Sequence, residues 1–191
     1  MNKASVETVR LLPLLEQDAA GLERVRQLRN APEVRRYMYS DHEISPGEHA
    51  AWLQRLAGDA SQRAWVVLYD GVIEGLVSLS ALRAAHRTAE WAFYLSPQMQ
   101  GQGVGGVVEY LLLEHAFGPA GLEKLNCEVL ASNPKVVAMH QKFGFAVEGT
   151  RRENVIKEGR RTDVVLLGIL AAEWRAQQPR FARLFGAHRH S

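Results

Sequence analysis

A glycine-rich segment near the middle of the chain has the composition of an anion-binding loop. It follows an alternating apolar run from Thr88 to Leu95 and precedes a stretch to Phe117 in which apolar side chains recur at helical spacing. Four glycines lie between the two runs or at the start of the second, at Gly101, Gly103, Gly105 and Gly106. Glycine lets backbone approach a ligand closely, and the first N–H groups of a helix lack internal partners. The pattern predicts a phosphate-binding turn between a strand and a helix.

Other phosphate-binding patterns fit these glycines less well. Gly101, Gly103 and Gly106 spell the dinucleotide fingerprint G-x-G-x-x-G, and Glu123 lies about 20 residues further on, where that fingerprint places an acid. However, five residues separate the end of the strand from Gly101, whereas the fingerprint needs its first glycine directly at the strand end. A Walker loop is excluded because no Gly-Lys-Ser/Thr follows. A glycine turn that serves only close helix packing stays open.

The composition fits one globular domain over residues 1–191, with a core at about 9–170 and a C-terminal helix and tail after it. The chain is 47% hydrophobic and has a formal charge of +2, so a general nucleic-acid surface is not indicated. The single cysteine, Cys127, is expected in the core. Residues 1–10 lack a signal-peptide core, and no apolar run reaches the roughly 18 residues of a membrane span. We expect a cytoplasmic protein with a small-molecule partner and neither nucleic acid nor membrane; homodimer formation is left open.

The remaining patterns predict a mixed α/β fold. Asp18 is expected to cap a first helix that runs to about Arg29, and Ser45 with Glu48 forms a capping box for another. Asp70-Gly71 predicts a hairpin. A strand and a helix follow at about 124–130 and 134–142, and two last strands at 145–155 and 162–170 are joined by a polar turn. The tail at 171–191 begins as a helix and ends in a basic segment with His188 and His190, where no metal site is expected.

The glycine turn belongs to a longer pattern. Gln100-x-x-Gly103-x-Gly105 is followed by Asn133-x-x-x-x-Ala138 and then by Lys142-Phe143-Gly144-Phe145. In this order and over about residues 9–170, the chain resembles the GNAT acetyltransferase superfamily. The resemblance implies an α/β (α+β) fold whose mixed, mainly antiparallel sheet splays in a V between the strands at Thr88 and Lys124 and is flanked by helices. It implies acetyl-CoA as co-substrate and no metal. The residues expected to bind it are Tyr94, Leu95, Gln100, Gly101, Gln102, Gly103, Val104, Gly105, Gly106, Asn133, Ala138 and Lys142.

The N-terminal half resembles a narrower group. Leu28-Arg29-Asn30-x-Pro32, Met38-Tyr39-Ser40 and Ile44-Ser45-x-x-x-His49-x-x-Trp52 are similar to sugar N-acetyltransferases of pseudaminic acid biosynthesis, which serves flagellin glycosylation. That resemblance implies acetylation of the 4-amino group of UDP-4-amino-4,6-dideoxy-N-acetyl-β-L-altrosamine. It places Arg29 and His49 near the nucleotide, and Met38, Tyr39 and Trp52 along the sugar. Core packing is the alternative for the last three.

The expected reaction needs a group that accepts the amine proton and one that protonates the leaving thiolate. Strand alternation turns Glu90 toward one sheet face. The resemblance matches Glu128 to a sugar-site glutamate and Ser78 to a serine that hydrogen-bonds substrate. Glu90 and Glu128 are therefore the candidates for the proton acceptor, directly or through water.

His140 stands where the family places a tyrosine that protonates the thiolate. A neutral imidazole can still donate from one nitrogen, so we predict that His140 is the general acid. A surface histidine on a helix is the alternative.

Three functions remain open at this point. The first is direct acetyl transfer to a nucleotide-linked amino sugar. The second is the same chemistry on the N-terminal amine of a ribosomal protein or on an aminoglycoside. The third is a non-catalytic module that binds acetyl-CoA as a sensor, because the usual tyrosine is missing.

Overall fold

A seven-stranded sheet with strand order β1-β2-β3-β4-β5-β7-β6 forms the centre of the protein. The computed structural model describes residues 4–186. Only β4 and β5 are parallel, and every other neighbouring pair is antiparallel. The strands are β1 (Val9–Pro13), β2 (Arg63–Tyr69), β3 (Val72–Arg83), β4 (Thr88–Leu95), β5 (Lys124–Leu130), β6 (Ala146–Lys157) and β7 (Arg160–Leu170). The helices are α1 (Ala19–Asn30), α2 (Pro32–Arg35), α3 (Pro46–Gly58), α4 (Val104–Phe117), α5 (Pro134–Lys142) and α6 (Ala171–Phe185).

Local sequence signals fix several element boundaries, as predicted. The Asp18 side chain accepts a hydrogen bond from the Gly21 amide at the start of α1. Ser45 and Glu48 form a reciprocal capping box at the start of α3. Asp70 and Gly71 both have positive φ, 48° and 83°, as a tight hairpin between β2 and β3 requires.

Other boundaries differ from the prediction. Helix α2 ends at Arg35, because the next bonds, from the amides of Tyr37 and Met38, are i to i+3 turns. The β6–β7 hairpin is longer than predicted and turns at Glu158-Gly159. The basic end of the tail, with His188 and His190, lies outside the described residues.

The sheet splays where β4 meets β5, which confirms the predicted V. Their pairing covers three positions, Thr88 with Lys124, Ala89 with Leu125, and Glu90 with Asn126. Both strands then continue to Leu95 and Leu130 without pairing to each other. We call the opening beyond Glu90 and Asn126 the cleft.

Two hydrophobic clusters cover opposite faces of the sheet. The larger one joins the sheet to α4, α5 and α6, and includes Trp91, Val107 and Phe143. The smaller one lies under α1 and α3 and includes Val25 and Leu56. We call the two surfaces the α4 face and the α1 face. None of the helices within residues 4–186 is long and apolar enough to cross a lipid bilayer.

Candidate active site

The glycine turn presents unpaired backbone at the start of α4. Gly103 is the N-cap residue and has a left-handed φ of 79°, while Gly101 has a φ of 74° and open space around the position of a Cβ atom. Both conformations favour glycine. The amides of Gly103, Val104 and Gly105 lie at the helix start, where N–H groups have no intrahelical acceptor. This turn can hold a diphosphate through its backbone.

The structure corrects the prediction that Gly106 belongs to the anion-binding loop. Its amide already donates to the Gly103 carbonyl at 3.1 Å. A Cβ atom there would approach the ring of Phe185 in α6 to 3.1 Å. Its glycine is therefore explained by the close approach of α6, and it does not belong with the free amides of the turn.

Most of the other predicted cofactor residues lie along the turn and the cleft. The prediction for the Tyr94 side chain is corrected. Leu95 is directed to the α4 face, because its side chain lies 3.8 Å from a Cβ built on Gly105. Tyr94 points the opposite way, and its hydroxyl donates to the Val25 carbonyl of α1 at 3.2 Å. Tyr94 can thus offer only its backbone to a ligand in the cleft. Gln100 and Gln102 remain in the turn itself.

Helix α5 brings three predicted residues to the other side of the cleft. Asn133 is its N-cap but makes no side-chain cap bond. Ala138 and Lys142 are exposed. All three leave surface available to a ligand that runs between β4 and α5.

The α1 face carries both candidate carboxylates, on either side of the cleft. Glu128 on β5 accepts hydrogen bonds from the hydroxyl of Tyr39 and from the guanidinium of Arg151. Partial burial, followed by the bond to Glu128, raises the pKa of Tyr39 well above its usual range. Glu90 on β4 is exposed and forms no ion pair with any described residue. Glu128 is therefore held by two side chains, whereas Glu90 is left exposed beside the cleft.

Ser78 and Met38 lie near these carboxylates in different ways. Ser78 is paired with Ala92 across β3 and β4, so it shares the α1 face with Glu90. Its hydroxyl reaches the Ala92 carbonyl only at 3.5 Å, which is a weak bond. Met38 is half-buried beside the exposed Tyr39.

Arg29 has an incomplete set of hydrogen bonds. Its Nη2 donates to the Ser40 hydroxyl at 2.9 Å, while Nη1 is buried without a partner among the described residues. Burial lowers the pKa of Arg29, and a guanidinium nonetheless stays charged in proteins. An unpaired, partly desolvated cation of this kind is suited to an anion.

His49 and Trp52 lie next to each other on α3. His49 is 8% exposed and its ring lies 5.5 Å from that of Trp52. Trp52 packs against the smaller cluster under α1 and α3, and burial lowers the pKa of His49. The Nε2 of His49 is also buried without a partner among the described residues, so a substrate role for His49 and Trp52 stays a prediction.

His140 is not on the surface but buried on the α4 face. It is 3% exposed, and its ring centroid lies 5.0 Å from that of Trp91 and 5.4 Å from that of Phe145. Its Nδ1 is 2.9 Å from Oε1 of Glu109, which is fully buried in α4. No site role was predicted for Glu109, although a fully buried acid within the apolar run of α4 is an unusual feature.

Local sequence patterns also do not predict the contacts that hold the α2–α3 loop. Lys157, at the tip of the β6–β7 hairpin, pairs with Asp41 and donates to the Arg35 carbonyl at 3.3 Å. Asp41 also accepts from the Glu158 amide at 3.2 Å. These partners are more than 100 residues apart, so no local signal could have found them. They fix the segment that carries Tyr39.

Cys127 is buried at 4% exposure, and burial raises the pKa of its thiol far above the usual range. It is a core residue, as predicted.

Comparison with known proteins agrees with this architecture. Residues 8–146 match the acetyltransferase (GNAT) domain family. Spermidine N(1)-acetyltransferase of Escherichia coli K12 is 30% identical over 173 residues, which cover 91% of each chain. Acetyltransferase PseH of Campylobacter jejuni is 24% identical over 139 residues, or 73% of this chain and 85% of that protein. The narrower likeness to sugar acetyltransferases is thus supported only weakly.

A solved structure extends the comparison to three dimensions. Spermidine N-acetyltransferase from Vibrio cholerae, in complex with CoA and spermine, matches with a TM-score of 0.81 and 26% identity. The match covers 88% of this chain and 99% of that one. The glycine turn, the splayed β4–β5 pair and these likenesses together show that the chain belongs to the GNAT acetyltransferase family and is an N-acetyltransferase with acetyl-CoA as its co-substrate.

Proposed function

We propose that the protein transfers the acetyl group directly to the 4-amino group of a UDP-linked 4-amino-4,6-dideoxy sugar. The observation that carries this proposal is the buried, unpaired Nη1 of Arg29 beside the segment with Ser40. A nucleotide diphosphate supplies the anion that this guanidinium lacks. The resemblance of the N-terminal half to sugar acetyltransferases and the 24% identity with PseH support the same class of acceptor.

The other charges around the α2–α3 loop favour an acceptor that is not a polycation. Most acids there already have a basic partner within the protein. The pairs are Glu23 with Arg26, Glu43 with Arg35, Asp41 with Lys157 and Glu128 with Arg151. A polyamine needs several free carboxylates, whereas a sugar nucleotide needs free cations and polar donors.

The catalytic steps divide between the two faces of the sheet. Acetyl-CoA supplies the electrophilic thioester carbonyl. Glu90, directly or through water, accepts the amine proton on the α1 face, while Ser78 and Tyr39 orient the acceptor. His140 returns a proton to the sulfur from the α4 face. The buried thiol of Cys127 takes no part, so the transfer needs no acyl-enzyme.

Polyamine acetylation is a second candidate. It is supported by the spermidine acetyltransferases of E. coli and V. cholerae, which are 30% and 26% identical to this chain. The free carboxylate of Glu90 would also suit a cationic amine.

Thiol release from acetyl-CoA separates these functions when measured with the UDP-4-amino sugar, spermidine, an N-terminal ribosomal peptide and an aminoglycoside. We expect kcat/KM to be highest for the sugar nucleotide. A higher value for spermidine would replace this proposal by the polyamine function. Absence of release with every amine would indicate a sensor of acetyl-CoA.

Arg29→Met tests whether the unpaired Nη1 of Arg29 binds the diphosphate of the acceptor. We expect KM for the sugar nucleotide to rise about 10- to 100-fold, because one charge-assisted hydrogen bond is worth about 1.5 to 3 kcal/mol. KM for acetyl-CoA should not change. Arg55→Met, an exposed arginine near the end of α3, is the matched control. An unchanged acceptor KM in Arg29→Met would contradict the role of Arg29.

A further inference from the structure

A carboxylate in the middle of α4 is buried without full hydrogen bonding. Glu109 is 0% exposed and lies within the same apolar helix as Val108 and Leu112. Its Oε1 is 2.9 Å from Nδ1 of His140, and its Oε2 is buried without a partner among the described residues. Burial raises the pKa of Glu109, and His140 opposes that effect.

Fold stability does not explain this pair. A single hydrogen-bond partner offsets only a small part of the free energy needed to remove a carboxylate from water. Well-packed apolar residues of similar volume are often equally or more stabilising than a buried ion pair. The surroundings are already apolar, with Trp91 and Phe145 against the imidazole. A leucine and a phenylalanine would fill the same space.

The pair of Glu109 and His140 lies next to the cleft. Glu90 is the last residue of β4 that pairs with β5, so Trp91 is the first residue beyond the point of divergence. Cys127 holds the same place on β5. The imidazole of His140 packs edge-on against Trp91, 5.0 Å between ring centroids. Glu109 therefore contacts the imidazole just where the sheet opens.

The protonation of the pair matters because, within residues 4–186, His140 uses only its Nδ1 for a hydrogen bond. No described residue hydrogen-bonds to its Nε2. An isolated neutral imidazole carries one proton, and if that proton sat on Nδ1, Nε2 would have none to donate. A carboxyl group that shares a proton with Nδ1 lets Nε2 carry a second proton while the pair stays neutral.

We propose that Glu109 is a positioning residue that keeps a proton between its Oε1 and Nδ1 of His140, so that Nε2 faces the reaction as a proton donor. This rests on the proposed acetyl transfer. As the amine nitrogen bonds to the acetyl carbon, the carbon–sulfur bond breaks and its electron pair leaves with sulfur. The Nε2 proton passes to that sulfur, and the amine proton goes to Glu90 or water. The pair is left with one negative charge, and solvent restores its proton.

No further ionic partner complicates this assignment. Glu109 from α4 is the only ion-pair partner of His140 within residues 4–186. From β5, Cys127 lies near Glu109, and its pKa is raised, so it remains a thiol. β4 contributes the uncharged rings of Trp91 and Phe93.

Glu109→Gln tests the proposal by kinetics. The amide keeps the shape of the side chain but cannot share an acidic proton with Nδ1. We expect kcat to fall about 10- to 100-fold, within the usual range for loss of general acid catalysis, while KM for acetyl-CoA stays within about twofold. Glu114→Gln is the matched control, because Glu114 lies on the same helix and accepts from Trp174 and Gln178 of α6. Its kcat should not change.

Nuclear magnetic resonance gives a readout that needs no acceptor. A buried N–H shared with a carboxylate gives a proton resonance far downfield, and the His140→Phe spectrum assigns it among the seven histidines. We expect the resonance in the native protein and its loss in Glu109→Gln. Persistence of the resonance in Glu109→Gln would overturn the proposal, as would full kcat in a folded Glu109→Leu. Because the spectrum does not depend on turnover, failure of the proposed substrate and failure of the pair are separate results.

Discussion

The two sides of the cleft are built by opposite physical means. On the α1 face, Glu90 is exposed and Glu128 is held by Tyr39 and Arg151 near solvent. On the α4 face, His140 and Glu109 are almost completely buried among aromatic and aliphatic side chains. Exposed pairs are screened and adjustable, whereas a buried pair is strong and costly to break. We therefore expect the α1 face to vary more readily with the substrate than the α4 face, whose pair is held by the core.

The largest expected effect is that of removing His140 from the α4 face, where the loss of kcat can be distinguished from the loss of stability. His140→Phe should lower kcat about 100-fold through loss of the acid and should also lower the free energy of unfolding by about 3 kcal/mol, because it strands the Glu109 carboxylate. Adding Glu109→Leu should restore stability but not kcat. Denaturant unfolding and thiol release measure the two quantities.

The outcome for the double variant decides between the two roles. Recovery of kcat together with stability would show that His140 only packs the core. His140→Tyr provides a second control, since a phenol is protonated throughout the physiological pH range and needs no carboxylate to supply its proton.

A smaller effect is expected from the carboxylates of the α1 face. Glu90→Gln should lower kcat about tenfold, because an exposed base is partly replaced by water. Glu128→Gln should act mainly on the acceptor KM, because Glu128 holds Tyr39 and Arg151. Steady-state kinetics with acetyl-CoA saturating distinguish the two. A larger loss of kcat in Glu128→Gln would assign the base to Glu128 instead.

The smallest effect concerns the hairpin contact that holds the α2–α3 loop. The bonds from Lys157 and the Glu158 amide hold the pKa of Asp41 below its ordinary value of 3.8. A depressed folded-state pKa means that the contact is fully present above that ordinary value and is lost as the pH falls through the folded pKa. The protection factor of the Glu158 amide, which corrects the exchange rate for its intrinsic pH dependence, should therefore be high at neutral pH and fall only in acid.

Asp41→Asn provides the comparison for this contact. The protection factor of the Glu158 amide should be lower in that variant at neutral pH and equal to that of the native protein in strong acid, and the acceptor KM should rise a few-fold, because Tyr39 lies in the same loop. Equal protection of the Glu158 amide in the native protein and in Asp41→Asn would show that Asp41 does not hold the α2–α3 loop against the hairpin.

Local patterns predicted most of the elements. The caps at Asp18 and Ser45, the Asp70-Gly71 turn and the alternation along β4 each depend on a few adjacent residues, and all are present in the structure. Two cofactor assignments needed correction, at Gly106 and at Tyr94. In each case the cause is a helix distant in sequence: α6 fills the space beside Gly106, and α1 accepts the hydrogen bond of Tyr94.

The sequence by itself determined the order of strands and helices, the glycine turn and the likeness to acetyltransferases, because these follow from neighbouring residues. Only the tertiary structure brought Glu109 to His140, which lies 31 residues away, and Tyr39 to Glu128, which lies 89 residues away. It also decided that His140 is buried rather than exposed. Such contacts depend on which faces of the sheet and helices meet, and no local spacing encodes that.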